Sequence, residues 1–248
     1  MIKMTATTLA GATVLGLPLD AQASDSRPAE GQNTGKKVMV IGAHPDDPET
    51  GCGGLMLLLG QAGYEVVSVY LTHGEAGIEG KSHDEAASIR TREAQNACAV
   101  TGARPIFLTQ IDGDTRIDAQ RYAQVRQVIA QEKPSLVLTH WPVDSHRDHC
   151  VCSVLVRDAW RRLGYSFALY YFEVMTGMQT QNFTPTDFVD ITAVAATKRQ
   201  ACNCHVSQNM DDLYTWHDKM ELFRGMQAGV TRAEAYVRQW TPRPATQL

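Results

Sequence analysis

Downstream of residue 37 the chain alternates short, unbroken apolar runs with longer stretches of helical periodicity. The runs at 38–41, 66–71, 106–108, 136–138 and 168–172 have the length and flanks of strands buried on both faces. Between them, 53–63, 84–101, 118–132 and 148–163 place apolar residues at helical spacing. That alternation predicts an α/β fold: a Rossmann-like, mostly parallel sheet with helices on both faces. After residue 190 the pattern reads as helical over 193–204, 210–227 and 231–239, the last opening on Thr231 as N-cap. In such sheets ligands bind beyond the carboxyl ends of the strands, so the loop after each apolar run is where chemistry is expected.

The first 36 residues do not share this pattern. Residues 4–19 carry no charge, follow Lys3, and lead into Ala21-Gln22-Ala23, a small-x-small cleavage pattern. Residues 1–23 are therefore expected to be an export signal, placing the mature protein in the periplasm or outside the cell. The opening also resembles the tail of a twin-arginine leader, which would put the natural start upstream of Met1. The apolar part is rich in Thr, Gly and Ala and falls short of the roughly 18 to 20 strongly apolar residues of a spanning helix, so no stable membrane anchor is expected. Residues 24–36 are polar with Gly and Pro, a flexible lead-in, and 37–248 read as one domain.

The 23 basic against 27 acidic residues give a formal charge of −4, which offers a nucleic-acid backbone no attraction. The six cysteines are even in number in a chain expected to leave the reducing cytosol. A bridge joining Cys150 or Cys152 to Cys202 or Cys204 is the pairing to test, with free buried thiols as the alternative.

Two strand-end loops concentrate ionisable groups. After the first apolar run comes Gly42-Ala43-His44-Pro45-Asp46-Asp47-Pro48-Glu49, followed by Gly51-Cys52-Gly53-Gly54. After the fourth come His140 and Asp144-Ser145-His146-Arg147-Asp148-His149. Brought together, they form a His/Asp/His cluster of the kind zinc accepts while keeping a position for water. The glycines lack the G-x-G-x-x-G spacing of a dinucleotide loop and suit close packing of a helix on the sheet.

These segments resemble the PIG-L/LmbE family of zinc-dependent N-acetylglucosaminyl deacetylases, whose A-H-P-D-D-E, G-C-G-G and H-x-D-H motifs are matched at 43–48, 51–54 and 146–149. Further similarity lies in Arg90-x-x-Glu93, Asp112-Gly113 and Lys198 with His205-x-Ser207-Gln208. Pro48 replaces the usual Glu and Arg147 the usual Pro. The resemblance implies one Zn2+ held by His44, Asp47 and His149, with Asp46 as the base and His146 supporting the oxyanion. It also implies Arg90 and Asp112 at the substrate. The expected reaction is removal of an acetyl group from an N-acetylglucosamine-containing small molecule or glycan, giving acetate and a free amino sugar. Cleavage of a different N-acyl group, or a silent sugar-binding relative, are the alternatives.

Each assignment has a plainer competitor. Arg90 and Glu93, one turn apart, could form an exposed ion pair, and Asp112 a turn with Gly113. His73 is expected at the pocket or its rim, and His140 behind the ligands rather than among them. Trp141, Tyr170 and Tyr171 are either core or a sugar-stacking face. His83, His205 and His217 carry no assignment.

Overall fold

The computed structural model describes residues 36–241; the expected export signal and all but the end of the lead-in lie outside the described residues. Five strands come first: β1 (Lys37–Gly42), β2 (Glu65–Tyr70), β3 (Arg104–Phe107), β4 (Leu136–His140) and β5 (Ala168–Phe172). They are separated by α1 (Asp47–Gln61), α2 (His83–Thr101), α3 (Ala119–Glu132) and α4 (Arg147–Arg162). The rest comprises β6 (Asp187–Asp190), α5 (Ala195–Cys202), a 3-10 turn (Val206–Gln208), α6 (Met210–Ala228) and β7 (Ala233–Arg238). The seven-stranded sheet runs β3-β2-β1-β4-β5-β7-β6. All neighbours from β3 to β5 pair in parallel, and β7 is antiparallel to both β5 and β6. The expected α/β architecture is therefore the observed one.

Each unbroken apolar run is divided between two cores because alternate strand residues point to opposite faces. Met39, Ile41, Val67 and Val69 pack with Val151, Leu155 and Val156 of α4 and Val125 and Ile129 of α3. Val38, Val40 and Val66 pack with Cys52, Leu55 and Met56 of α1 on the other face. Burying each such aliphatic side chain contributes about 1.5–3 kcal/mol. The glycines of α1 do what packing requires: a Cβ at Gly51 would lie 2.5 Å from Phe172, and one at Gly54 2.4 Å from Ile191. Ser82 and Glu85 close a reciprocal capping box on α2, and the Asp118 carboxylate caps α3.

Two expectations are corrected, and the cysteines take the unbridged alternative. The segment 231–239 is the strand β7 rather than a helix, and β6 was not anticipated. β7 is inserted between two strands, so Ala233, Glu234, Ala235 and Tyr236 are all buried and its polar Glu234 hides the strand pattern. α1 begins at Asp47, six residues before the periodicity shows, with Pro48 in its first turn, where the missing N–H costs no bond. All six cysteines are free thiols. Cys152 of α4 faces Thr139 and Ile41 on one side of the sheet, whereas Cys202 of α5 packs against Met210 and Tyr214 on the other. The sheet stands between the two helices, and a disulfide needs Cβ atoms about 3.5–4.5 Å apart.

The chain leaves β1 toward β2 and β3 on one side and returns to build β4 on the other. The carboxyl ends of β1 and β4 thus flank the point where strand order reverses, the crevice in which such sheets bind ligands. The His44 loop leaves β1 there, and the His146 loop leaves β4. Among the described residues no helix is long and apolar enough to cross a membrane.

Candidate metal and active site

His44, Asp46, Asp47, Arg90, Asp112, His146 and His149, all seven residues singled out from the sequence, line a single cavity of about 330 Å³. His44 Nδ1 lies 3.2 Å from Asp47 Oδ2, and His149 Nε2 lies 3.4 Å from Asp47 Oδ1, so the one carboxylate meets an imidazole at each oxygen. The nitrogens of His44, His146 and His149 also come within 4.8 Å of one another. His146 is the N-cap of α4 and His149 lies in its first turn, which turns both rings to one side.

The far nitrogen of each inner imidazole meets a carboxylate. His44 Nε2 lies 3.3 Å from both Asp112 Oδ1 and Asp148 Oδ2, and His149 Nδ1 lies 3.2 Å from Asp144 Oδ1. A carboxylate behind a histidine fixes the ring and raises the basicity of the nitrogen it offers to a metal. The donor set, buried imidazoles with a carboxylate and these outer partners, fits a borderline cation such as zinc. Asp144 and Asp148 are contributions that the sequence reading left unassigned; the need of each ligand histidine for a carboxylate was the available signal. Asp148 is further held by Gly113 N at 2.8 Å and the Thr115 hydroxyl at 2.6 Å.

Electrostatics separate the two adjacent aspartates. Burial acts to raise the Asp47 pKa, but His149 and His140 overcome it and hold the carboxyl well below its usual range. Burial and the neighbouring Asp47 push Asp46 upward, against the pull of Arg90. One carboxylate is thus kept ionised and the other made more basic. Burial works to lower His149, yet Asp47 and Asp144 carry it up to about 9. His146 is lowered by its burial and by His44 and His149, and its Nδ1 accepts the Asp148 N–H at 3.3 Å, leaving Nε2 to carry the proton of a neutral ring.

Asp46 occupies φ 124°, a conformation rare for a residue with a Cβ. Arg90 holds it there: Nη2 donates to Pro45 O at 2.6 Å and to Asp46 Oδ2 at 3.0 Å, while Nη1 is 3.8 Å from Asp112 Oδ2. A Cβ on Gly74 or Gly77 would lie 2.6 or 2.2 Å from this guanidinium, so the 74–77 loop admits Arg90 only because both are glycine. Arg90 is 3% exposed, which excludes an exposed pair with Glu93; Glu93 instead accepts from Ser207 N and Oγ at 2.8 and 2.7 Å.

His140 is buried beside Asp47, its Nε2 3.1 Å from Asp47 Oδ2 and 3.0 Å from Ala43 N; it is absent from the cavity wall, and its donor atom lies within 4.8 Å of those of Asp47 and His149. His73 stacks on Phe107 and meets the Thr91 hydroxyl at 2.7 Å, outside the cavity. Trp141 packs edge-on against Tyr171 and Phe183, a core role rather than a sugar platform.

Residues 39–160, which include both loops, match the PIG-L family, described as GlcNAc-PI de-N-acetylase. A diacetylchitobiose deacetylase from Thermococcus kodakarensis is 30% identical over 226 residues, covering 82% of both chains. The chain belongs to the PIG-L family of deacetylases. Another relative, a 4-oxalmesaconate hydratase from Pseudomonas putida, is 28% identical over 82% of this chain and 86% of its own. The N,N'-diacetylchitobiose deacetylase structure from Pyrococcus horikoshii superimposes with a TM-score of 0.74 at 24% identity, over 83% of this chain and 84% of that one. The PIG-L assignment and the observed sheet therefore agree, and the deacetylases of the family are enzymes acting on amide bonds.

Proposed function

We propose that this PIG-L chain removes the acetyl group from an N-acetylglucosamine-containing small molecule or glycan, with one zinc ion held by His44, Asp47 and His149. The observation that carries the reading is the position of Asp46: adjacent to a ligand, raised in pKa and fixed by Arg90 in the cavity that His146 also lines. A divalent ion held there supplies Lewis-acid polarisation and acidifies water.

The protein's own groups account for the remaining demands of amide hydrolysis. Asp46 takes a proton from the attacking water and returns one to the departing nitrogen, for which a carboxylate more basic than usual is suited. His146 donates from Nε2 to the oxygen that becomes negative, a contact worth about 3–4 kcal/mol where comparable donors are removed. Arg90 keeps Asp46 aimed, and Asp112 offers a carboxylate to sugar hydroxyls. The 330 Å³ cavity suits a compact, polar ligand of about one sugar ring. Acetate and a free amino sugar leave. Export rests on residues 1–23, and N-terminal sequencing of the protein outside the cytosol tests it: a chain beginning near Ser24 supports export, and an intact Met1 opposes it.

The deciding experiment incubates the zinc-loaded protein with N-acetylglucosamine conjugates and, because one relative is a hydratase, with unsaturated oxo-acids. Acetate and amine released in equal amounts support the proposal. Water addition to the oxo-acids without acetate release overturns it.

A further inference from the structure

The 3-10 turn after α5 places Gln208 on the cavity wall, and its amide is oriented by a chain of bonds with only one consistent direction. Ser207 N and Oγ both donate to the buried Glu93 carboxylate, at 2.8 and 2.7 Å. With its proton committed, the hydroxyl accepts from Gln208 Nε2 at 3.0 Å. The same Nε2 donates to Gly77 O at 3.1 Å, and a backbone carbonyl can only accept. Both N–H bonds of the amide are thus engaged, and the atom left for a ligand is the acceptor Oε1.

The turn is fastened from three directions. His205 Nε2 lies 3.3 Å from the fully buried Glu49, Glu93 reaches from α2, and Gly77 is pressed against Arg90. The carboxylates of the cavity already face protein cations or imidazoles. Asp46 faces Arg90, Asp47 faces His44 and His149, and Asp112 faces His44 and Arg90. We propose that Gln208 Oε1 is a specificity determinant that accepts a hydrogen bond from one ring hydroxyl of the acetamido sugar. The assignment rests on the deacetylase reading above and adds to it the residue that separates hydroxylated from deoxygenated substrates. A pre-oriented acceptor penalises an analogue that arrives without the donor, because the amide oxygen is then desolvated with no partner.

The experiment compares kcat/KM for acetate release from an N-acetylglucosamine conjugate and its 3-, 4- and 6-deoxy counterparts, in the zinc-loaded parent and in Gln208→Met. The parent is expected to disfavour one deoxy sugar by about 10-fold or more. Gln208→Met should handle that pair within about 2-fold, because the hydroxylated member loses its acceptor and the deoxy member no longer strands one. Ser207→Ala, which loosens the amide but leaves Oε1, should retain part of the preference. Undiminished discrimination in Gln208→Met, or an equal loss on every sugar, overturns the assignment. Calorimetric binding of the same sugars separates this question from turnover. A parent that binds with the hydroxyl preference yet releases no acetate defeats the deacetylase reading alone, whereas equal or absent binding overturns the role of Gln208.

Discussion

Arg90 Nη2 donates to Asp46 Oδ2 at 3.0 Å and so joins the middle of α2 to the loop that leaves β1. The same nitrogen reaches Pro45 O, so one guanidinium holds both the backbone and the carboxylate of a residue at φ 124°. Without it, Asp46 is free to relax toward an ordinary conformation. Arg90→Met is expected to lower kcat by about 100-fold, the scale of a misplacement of about 1 Å at a reacting group. Steady-state acetate release measures it, and metal content by elemental analysis should stay at the parent level.

Asp46→Asn separates catalysis from binding of the ion. The amide cannot take a proton, and general-base contributions run to about 10²–10⁴-fold, so turnover should fall by that range. Zinc content should be unchanged, because Asp47 rather than Asp46 faces both His44 and His149. Equal turnover in the variant would remove Asp46 from the role of base.

Asp144 meets the ring of His149 and lies outside the cavity lining: its Oδ1 is 3.2 Å from Nδ1, with the backbone N–H of His146 and the Thr180 hydroxyl holding the carboxylate at 2.8 Å each. Asp144→Ala should weaken metal binding about 10- to 100-fold, the usual cost of losing such a partner. Competition with a zinc chelator gives the dissociation constant, and excess zinc should restore activity.

Lys198 is 1% exposed and lies 2.9 Å from Glu221 and 2.8 Å from Glu234, whose oxygens accept Gly54 N and Leu55 N. This one ammonium ties α5 to α6, β7 and, through Glu234, α1. Lys198→Met leaves buried Glu234 without its cation, while Glu221 keeps Arg232 at 3.1 Å, and is expected to cost about 3–5 kcal/mol, read as a lowered midpoint in urea.

His217 lines the cavity in a buried position, and burial, aided by Lys198, lowers its pKa to about 3. The unfolded side chain titrates near 6.5. Below that value the unfolded state therefore takes up a proton that the native ring refuses. The stability tied to His217 is complete above about pH 6.5 and is lost as pH falls toward 3. His217→Phe should flatten the fall in stability between pH 6.5 and 4 by up to about 1.4 kcal/mol per pH unit, measured by urea unfolding at stepped pH.

Local pattern was enough to define β1 to β5, their helices and the two chemical loops, because a buried strand and the motif that follows it occupy neighbouring positions in the chain. The motifs resembling the PIG-L family pointed to seven of the residues that line the cavity, while Gln208 and His217, which also line it, carried no site assignment. Only the tertiary structure decided that 233–238 is an inserted antiparallel strand, and that the sheet keeps Cys152 from Cys202. It alone showed Arg90 buried between Gly74 and Gly77, and Glu93 serving Ser207 rather than Arg90. Each of these depends on partners dozens of residues away, brought together by packing, and hydrophobic periodicity carries no record of which distant partner a buried charge or strand edge will meet.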